Sequence, residues 1–438
     1  MSQHLETLSR TQPTVGGGGW QACAAVVVAA LVMCACGAAT TTPLQTAGPT
    51  ATPSTAPTTG IGASVSAQPS ASHAGSSLPA MGKIAFIRPD ENWELASAVV
   101  IDPDGSHETA IPGGTTRWSW IWTAHGSKLL VSVGDKWARP AVVNQDGSGL
   151  TVLDAYPGRK MHLSPVAWSP DGSRILVASG GPAPHPDRPD PDDRDLGLYT
   201  VRASDGGDLR RVITSPDRSH DVVFGYAPDG SRIFVNREPW GLQDAQDFPH
   251  TVDNERSLFA ISSVGGSSLR LSPQNLDVFG VDWWPAASSD LSPDGTVVAF
   301  AAQPVPNPDD VPNTLFLVNA DGTGLHQLVS PDVGGITMKW SPDGRRLAFT
   351  SKLRSGPQLW VVNADGTDLT QLTDGADGSI SVMPVWSPDG TMLLYERQLG
   401  DEVTMRTIHV DGTGDRQLTK TPFGDFIGGY VWGTGPAS

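Results

Sequence analysis

The chain has 438 residues, enough for two or three ordinary domains or one large repeat architecture, and 38% hydrophobic content with 14 tryptophans supplies a sizeable core. The formal charge of −17 lies entirely beyond residue 80, because Glu6 and Arg10 cancel. An acidic surface of that size repels nucleic acid and anionic lipid headgroups, which excludes both as partners.

The first element is an apolar run from Ala22 to Met33, "ACAAVVVAALVM", too short to span a bilayer and suited to the core of an export signal. All three cysteines, Cys23, Cys34 and Cys36, lie in or beside it, so the rest of the chain has no thiol for a disulfide, a metal or a nucleophile. "MCAC" at residues 33 to 36 resembles a bacterial lipobox, which implies that Cys36 is the lipidated first residue of the mature chain. Ordinary signal cleavage near Ala39 is the other reading. Residues 37 to 80 contain no Asp, Glu, Lys or Arg and are dominated by Thr, Ser, Ala, Pro and Gly. Such a segment buries too little apolar surface to fold and is predicted to be a disordered tether, with a reach of roughly 35 to 40 Å. The predicted organisation is a signal over 1–36, a tether over 37–80 and one folded domain over 81–438.

From Met81 onward a unit recurs: an apolar strand, "SPDG", a second strand, a variable gap, a third strand, "NADGT", and a fourth strand. Residues 336 to 373 hold a complete copy, "ITMKW-SPDG-RRLAFTS" followed by "QLWVVN-ADGT-DLTQLT". Asp-Gly between two apolar runs is a strong hairpin signal, because Gly supplies positive φ at little cost. Each unit is therefore predicted to be a four-stranded antiparallel meander. The first-turn glycines are Gly126, Gly172, Gly230, Gly295, Gly344 and Gly390, with "WGTG" ending at Gly435 as a degenerate seventh. The second-turn glycines are Gly105, Gly147, Gly206, Gly265, Gly322, Gly366 and Gly412. Sheets this small cannot bury both faces alone, so they stack, and radial closure is the usual outcome.

The ends complete the circle. "GKIAFIR" after Met81 reads as a second strand and "GGYVWG" near the terminus as a first strand, so together they make one sheet. The fold class is thus all-β, a seven-bladed β-propeller of four-stranded antiparallel blades closed by its N- and C-terminal strands. Six blades is the alternative if the first two units merge. Trp122, Trp168, Trp340 and Trp386 precede the turn glycine by four residues, Tyr226 and Leu291 replace Trp in two units, and Trp432 sits one residue nearer its glycine. We read these side chains as wedges between neighbouring sheets, each contributing about 1.5 to 3 kcal/mol of burial.

Units that carry "WSPDG", "LAFTS" and "LWVVNADGT", as residues 340 to 366 do, resemble the TolB-type, WD-repeat-like β-propeller family. The resemblance covers residues 82 to 438 and implies a secreted or envelope-facing binding module. TolB propellers have six blades and follow an N-terminal α/β domain, where this sequence has signal and tether.

Candidate sites lie in the gaps. The spacing between the two turn glycines is 21, 34, 35, 27, 22 and 22 residues in the second to seventh units, so three consecutive blades carry insertions predicted to crowd one sector of one face. Long loops in an economical repeat are where binding usually resides; tolerated surface insertion is the bland reading. The candidate binding residues are Asp190, Asp192, Asp193, Asp195, Trp240, Asp244, Asp247, Asp309 and Asp310, an acidic set suited to a basic partner or a loosely held Ca²⁺. His162, His185, His220 and His250 fall in the same sector and form the candidate set for a divalent metal. Oligogalacturonate lyases, which are similar propellers, use a His-rich metal site of this kind. No "GxSxG" elbow occurs, and no catalytic residue is assigned.

The sequence therefore predicts an extracytoplasmic, lipid-anchored or secreted monomeric binding scaffold that presents an acidic, loop-rich face to a protein or a cell-envelope glycan. No nucleic acid is a partner, contact with the membrane is through an N-terminal lipid anchor alone, and no cofactor is required. The rival reading is a metal-dependent carbohydrate lyase or hydrolase acting at the same face.

Overall fold

In the computed structural model the described residues run from Met81 to Thr434, apart from 90–95, 117–120, 134–138, 155–162, 180–196, 215–219, 239–255, 279–287, 306–312, 331–336, 352–355 and 421–428. The signal, Cys36 and the tether lie outside them. Every regular element among the described residues is a strand, and the strands form seven sheets.

Blade 1 joins the C-terminal strand Val431–Thr434 to Met81–Pro89, Ala96–Ile101 and Thr109–Thr116. Blade 2 comprises Ile121–His125, Lys128–Val133, Arg139–Asn144 and Thr151–Val152. Leu163–Trp168, Arg174–Ser179, Gly197–Arg202 and Arg210–Thr214 make blade 3. In blade 4 the strands are His220–Tyr226, Arg232–Glu238, Ser257–Ser262 and Ser268–Arg270. Blade 5 has a divided first strand, Leu276–Val278 and Ser289–Leu291, then Val297–Pro304, Thr314–Asn319 and His326–Gln327. Blade 6 holds Met338–Trp340, Arg346–Ser351, Gln358–Asn363 and Thr370–Gln371, and blade 7 holds Ile380–Trp386, Met392–Leu399, Glu402–His409 and Arg416–Lys420. All pairs are antiparallel, as the alternation predicted. Seven blades, not six, is the outcome, and the predicted terminal strands pair to close the ring, with Val431 opposite Ala85 and Trp432 opposite Ile84.

The repeated turn is longer than a two-residue hairpin. In blade 3 Gly172 N donates to Ser169 O (2.8 Å) and Ser169 N to Arg174 O (2.9 Å), which encloses a four-residue loop. Pro presets its φ at the second position of the turn, and Gly closes it in the left-handed region, with φ of 68° at Gly172. Ser169 Oγ accepts from Arg174 N (2.9 Å) and donates to Asp171 Oδ1 (2.6 Å), which also accepts from Ser173 N (3.1 Å). Each residue of "SPDG" therefore has its own task, and the hydroxyl-to-carboxylate bond recurs at Ser292, Ser341 and Ser387. At Gly206 a side chain is excluded twice over, since φ is 75° and a Cβ would lie 2.4 Å from the Leu153 carbonyl carbon of the preceding blade.

The core sits between the sheets. Seven buried apolar clusters pair blades 1 with 2, 2 with 3, 3 with 4, 4 with 5, 5 with 6, 6 with 7 and 7 with 1, so the circle closes through packing as well as pairing. Trp168, Trp340, Trp386 and Trp432 are 6 to 8% exposed and belong to these clusters as the predicted wedges. Tyr226 and Leu291 pack at the equivalent junctions. Trp386 Nε1 also donates to Lys339 O of blade 6 (2.8 Å), and a Cβ at Gly225 would lie 2.8 Å from Leu291 Cβ. At these two junctions the residue before one wedge touches the wedge of the next blade. The side chain of Trp122 lies outside the described residues.

This topology gives two faces. First and third strands start on one, the loop face, where links between blades and gaps between second and third strands lie. The glycine turns occupy the other, the turn face.

Candidate functional site

The three longest gaps, 180–196, 239–255 and 306–312 with their flanks, join second to third strands of blades 3, 4 and 5, which are consecutive in the ring. Asp190, Asp192, Asp193, Asp195, Trp240, Asp244, Asp247, Asp309 and Asp310 lie within them, outside the described residues. His162, His185 and His250 are likewise outside. His220 opens the first strand of blade 4 opposite Glu238, with its side chain not described. Among the described residues no group of three or more His, Cys, Asp or Glu side chains is placed to hold a metal ion.

What the structure does place is the root of the blade 4 gap. Glu238 ends the second strand and Arg256 precedes the third, so these two residues flank the 239–255 segment. Their side chains are 3% and 13% exposed, and Arg256 Nε lies 3.5 Å from Glu238 Oε1. Arg256 N donates to Asp277 Oδ1 of blade 5 (2.8 Å), and its guanidinium lies 4.0 Å from Asp277 Oδ2. One residue inward, Arg237 donates to both oxygens of Asp221 (2.7 and 3.0 Å), a cross-strand pair in which Asp221 is 1% exposed. Arg237 also covers the Phe259 ring at 4.6 Å. The five side chains carry three carboxylates and two guanidiniums.

Burying this much charge costs several kcal/mol per ion before any pairing is counted, and apolar residues of similar volume would serve stability as well or better. The geometric gain is specific: the ends of the segment are fixed to each other and to the next blade. Toward the axis, Asp290 of blade 5 accepts from Lys339 Nζ (2.9 Å) and Trp340 N (2.8 Å) of blade 6. Asp290 and Lys339 hold the same position in successive blades, each just before the wedge, so ionic ties run from blade 4 through blade 6 along the loop face and the inner strands.

None of these root residues was singled out from the sequence. The available signal was charge where alternation asks for apolar or neutral residues, as in "IFVNRE" and "HDVVF", at strand ends that flank the longest gaps. Chemically the arrangement offers rigid presentation, with charged side chains paired to one another at the root of the gap.

Residues 284–425 match the family described as the TolB beta propeller domain. No curated protein matches the chain. Among solved structures, the chain is similar to an oligogalacturonate lyase from Vibrio parahaemolyticus, with 12% identity, 78% of this chain and 87% of that one covered, and a TM-score of 0.50. A puromycin hydrolase mutant complexed with PGG gives 15%, 79%, 54% and 0.53 in the same order. TolB from Acinetobacter baumannii gives 12%, 80%, 82% and 0.44. Likeness at such identity carries the fold and not an activity. The matched segment spans blades 5 to 7, and the same unit repeats around the whole ring, so the fold is a TolB-like β-propeller.

Proposed function

We propose that the protein is an extracytoplasmic binding scaffold, lipid-anchored through Cys36 or secreted, whose blades 3 to 5 present an acidic loop face to a protein or a cell-envelope glycan. The observation that carries this reading is the buried ionic root under the blade 4 gap. A tolerated surface insertion needs no such root, whereas a recognition loop gains affinity from being held in one arrangement. The acidic residues of the three gaps favour partners that bring cationic groups.

The test is capture from an envelope extract and from a panel of envelope glycans, with the full chain as bait. A second bait replaces 239–255 by a short Gly-Ser turn. The same partner is retained by the natural chain and lost by the shortened one, at unchanged melting temperature. Equal retention by both baits removes the loop face from the proposal. Fractionation tests the anchor separately: Cys36→Ser moves the protein from the membrane to the soluble fraction, and no change in fractionation rejects lipidation.

A further inference from the structure

On the turn face, the second residue after each first-turn glycine opens the second strand and is usually basic: Lys128, Arg174, Arg232 and Arg346, with Lys83 at the matching place in blade 1. Two of these side chains bridge to the next blade. Arg346 lies over the Trp386 wedge of blade 7, 5.2 Å from the ring centroid, and donates to Gly390 O in the blade 7 turn (3.0 Å). Arg232 donates to Ala320 O in the second turn of blade 5 (2.7 Å). Between blades 6 and 7 a guanidinium therefore finds a ring face and a turn carbonyl supplied by its neighbour, and between blades 4 and 5 a turn carbonyl.

Blades 5 and 7 depart from the pattern, with Val297 and Met392 at the position. Their register is the same: Val297 stands opposite Asn319, Arg346 opposite Asn363 and Met392 opposite His409. Met392 packs against the apolar cluster between blades 7 and 1. Val297 is shorter, and beside it lies a cavity of about 200 Å³ between blades 5 and 6. Its walls include the Trp340 wedge, Gly344 and Ala364. These are the blade 6 counterparts of Trp386, Gly390 and Ala320, the groups that the arginines reach elsewhere. Exposed Asp294 and Asn319 also line it, so its rim is polar and carries a carboxylate.

We infer that this cavity is a guanidinium socket left open by Val297, and that it takes an arginine side chain presented by a partner polypeptide. The fold specifies the chemistry, since the same junction binds its own arginine in blade 6. A planar cation on the indole face with neighbouring carbonyl acceptors favours arginine over lysine, and the overall charge of −17 draws such a ligand in. The site lies on the opposite face from the gaps of blades 3 to 5 and stands independently of the function proposed for them.

The experiment is titration of the full chain with Nα-acetyl-arginine amide, followed by calorimetry and by the indole N–H resonances. Binding that shifts one indole resonance is expected, with the uncharged isostere Nα-acetyl-citrulline amide weaker by about tenfold. Val297→Arg fills the socket from within and abolishes binding. Val297→Met, which copies blade 7, does so without adding charge and serves if the arginine variant does not fold. Val264→Arg adds the same charge at a residue 90% exposed on the turn face of blade 4 and leaves binding intact. Equal binding of arginine and citrulline amides, equal binding by wild type and Val297→Met, or no binding of the arginine amide overturns the inference. Tighter binding of free L-arginine than of its blocked amide makes the ligand a free amino acid and overturns the polypeptide partner.

Discussion

Asp171 concentrates in one carboxyl what the repeated turn asks of its sequence. The Ser169 hydroxyl, then the Ser173 amide and hydroxyl, hold its pKa down to about 2. Asp104, Asp146, Asp229, Asp321, Asp365 and Asp411 are shifted the same way, each by the hydroxyl and amide of a Ser or Thr two residues on. A carboxyl whose folded pKa lies below its unfolded one adds stability above the unfolded value, near 4, and loses it as pH falls toward the folded one. The protein should therefore lose stability steadily between about pH 4 and pH 2. Asp171→Asn removes one such contribution, so the difference in melting temperature between pH 6 and pH 3 becomes smaller than in wild type. An unchanged difference would show that this turn carboxyl titrates alike in the folded and unfolded chains. The need for Gly in these turns was legible in the sequence, because positive φ leaves a compositional mark. The turn's true length was not, since Ser and Asp hydrogen-bonded within the loop look the same in sequence as ordinary polar loop residues.

At the level of the strand, the ladders are irregular where they approach the axis. First strands of blades 2, 3, 4 and 7 each shift register against their second strand, and in blade 7 Met383 takes a φ of 59° at the shift. The Met383 carbonyl accepts from the Tyr430 hydroxyl (2.5 Å), which comes from the approach to the closing strand. In blade 5 the first strand comprises two pieces, Leu276–Val278 and Ser289–Leu291. Period-two patterning shows that a strand exists and is blind to a one-residue bulge, which is why these features escaped the sequence. The ionic root escaped for a related reason: Glu238, Arg256 and Asp277 are separated by long stretches of chain, and only the register of blade 4 against blade 5 brings them together. Arg256→Met tests that root. It leaves Glu238 and Asp277 buried without the guanidinium, with an expected destabilisation of about 3 to 5 kcal/mol in denaturant unfolding. A loss below about 1 kcal/mol would mean that water already compensates the carboxylates. Gln145 plays the corresponding part at the closure. It is 8% exposed, donates to Gly126 O (2.8 Å) and Thr434 O (3.1 Å), and accepts from Lys83 N (3.3 Å), so one amide ties blade 2 to both terminal strands. Gln145→Ala strands these groups and should cost about 1 to 3 kcal/mol, read in the same unfolding experiment.

At the scale of the whole ring, stability is shared among seven junctions, each made by two blades, so no blade has a complete core of its own. This follows from sheets that are apolar on both faces, as in the second strand of blade 6, where Leu347, Ala348, Phe349 and Thr350 are all buried. Blade 1 is the one sheet assembled from the two ends of the chain, and its first strand is held by pairing with Met81–Pro89 and by Trp432 in the cluster between blades 7 and 1. Removing 429–438 takes away that strand, the Tyr430 and Gln145 hydrogen bonds to it, and the wedge, which alone contributes about 1.5 to 3 kcal/mol. It also leaves the inner edge of Met81–Pro89 unpaired, a template for another chain. The truncated protein should melt well below the natural one and associate through that edge at raised concentration, read together by calorimetry and light scattering. If the loss of 429–438 left the melting temperature and the monomeric state unchanged, the ring would be held by its other junctions alone.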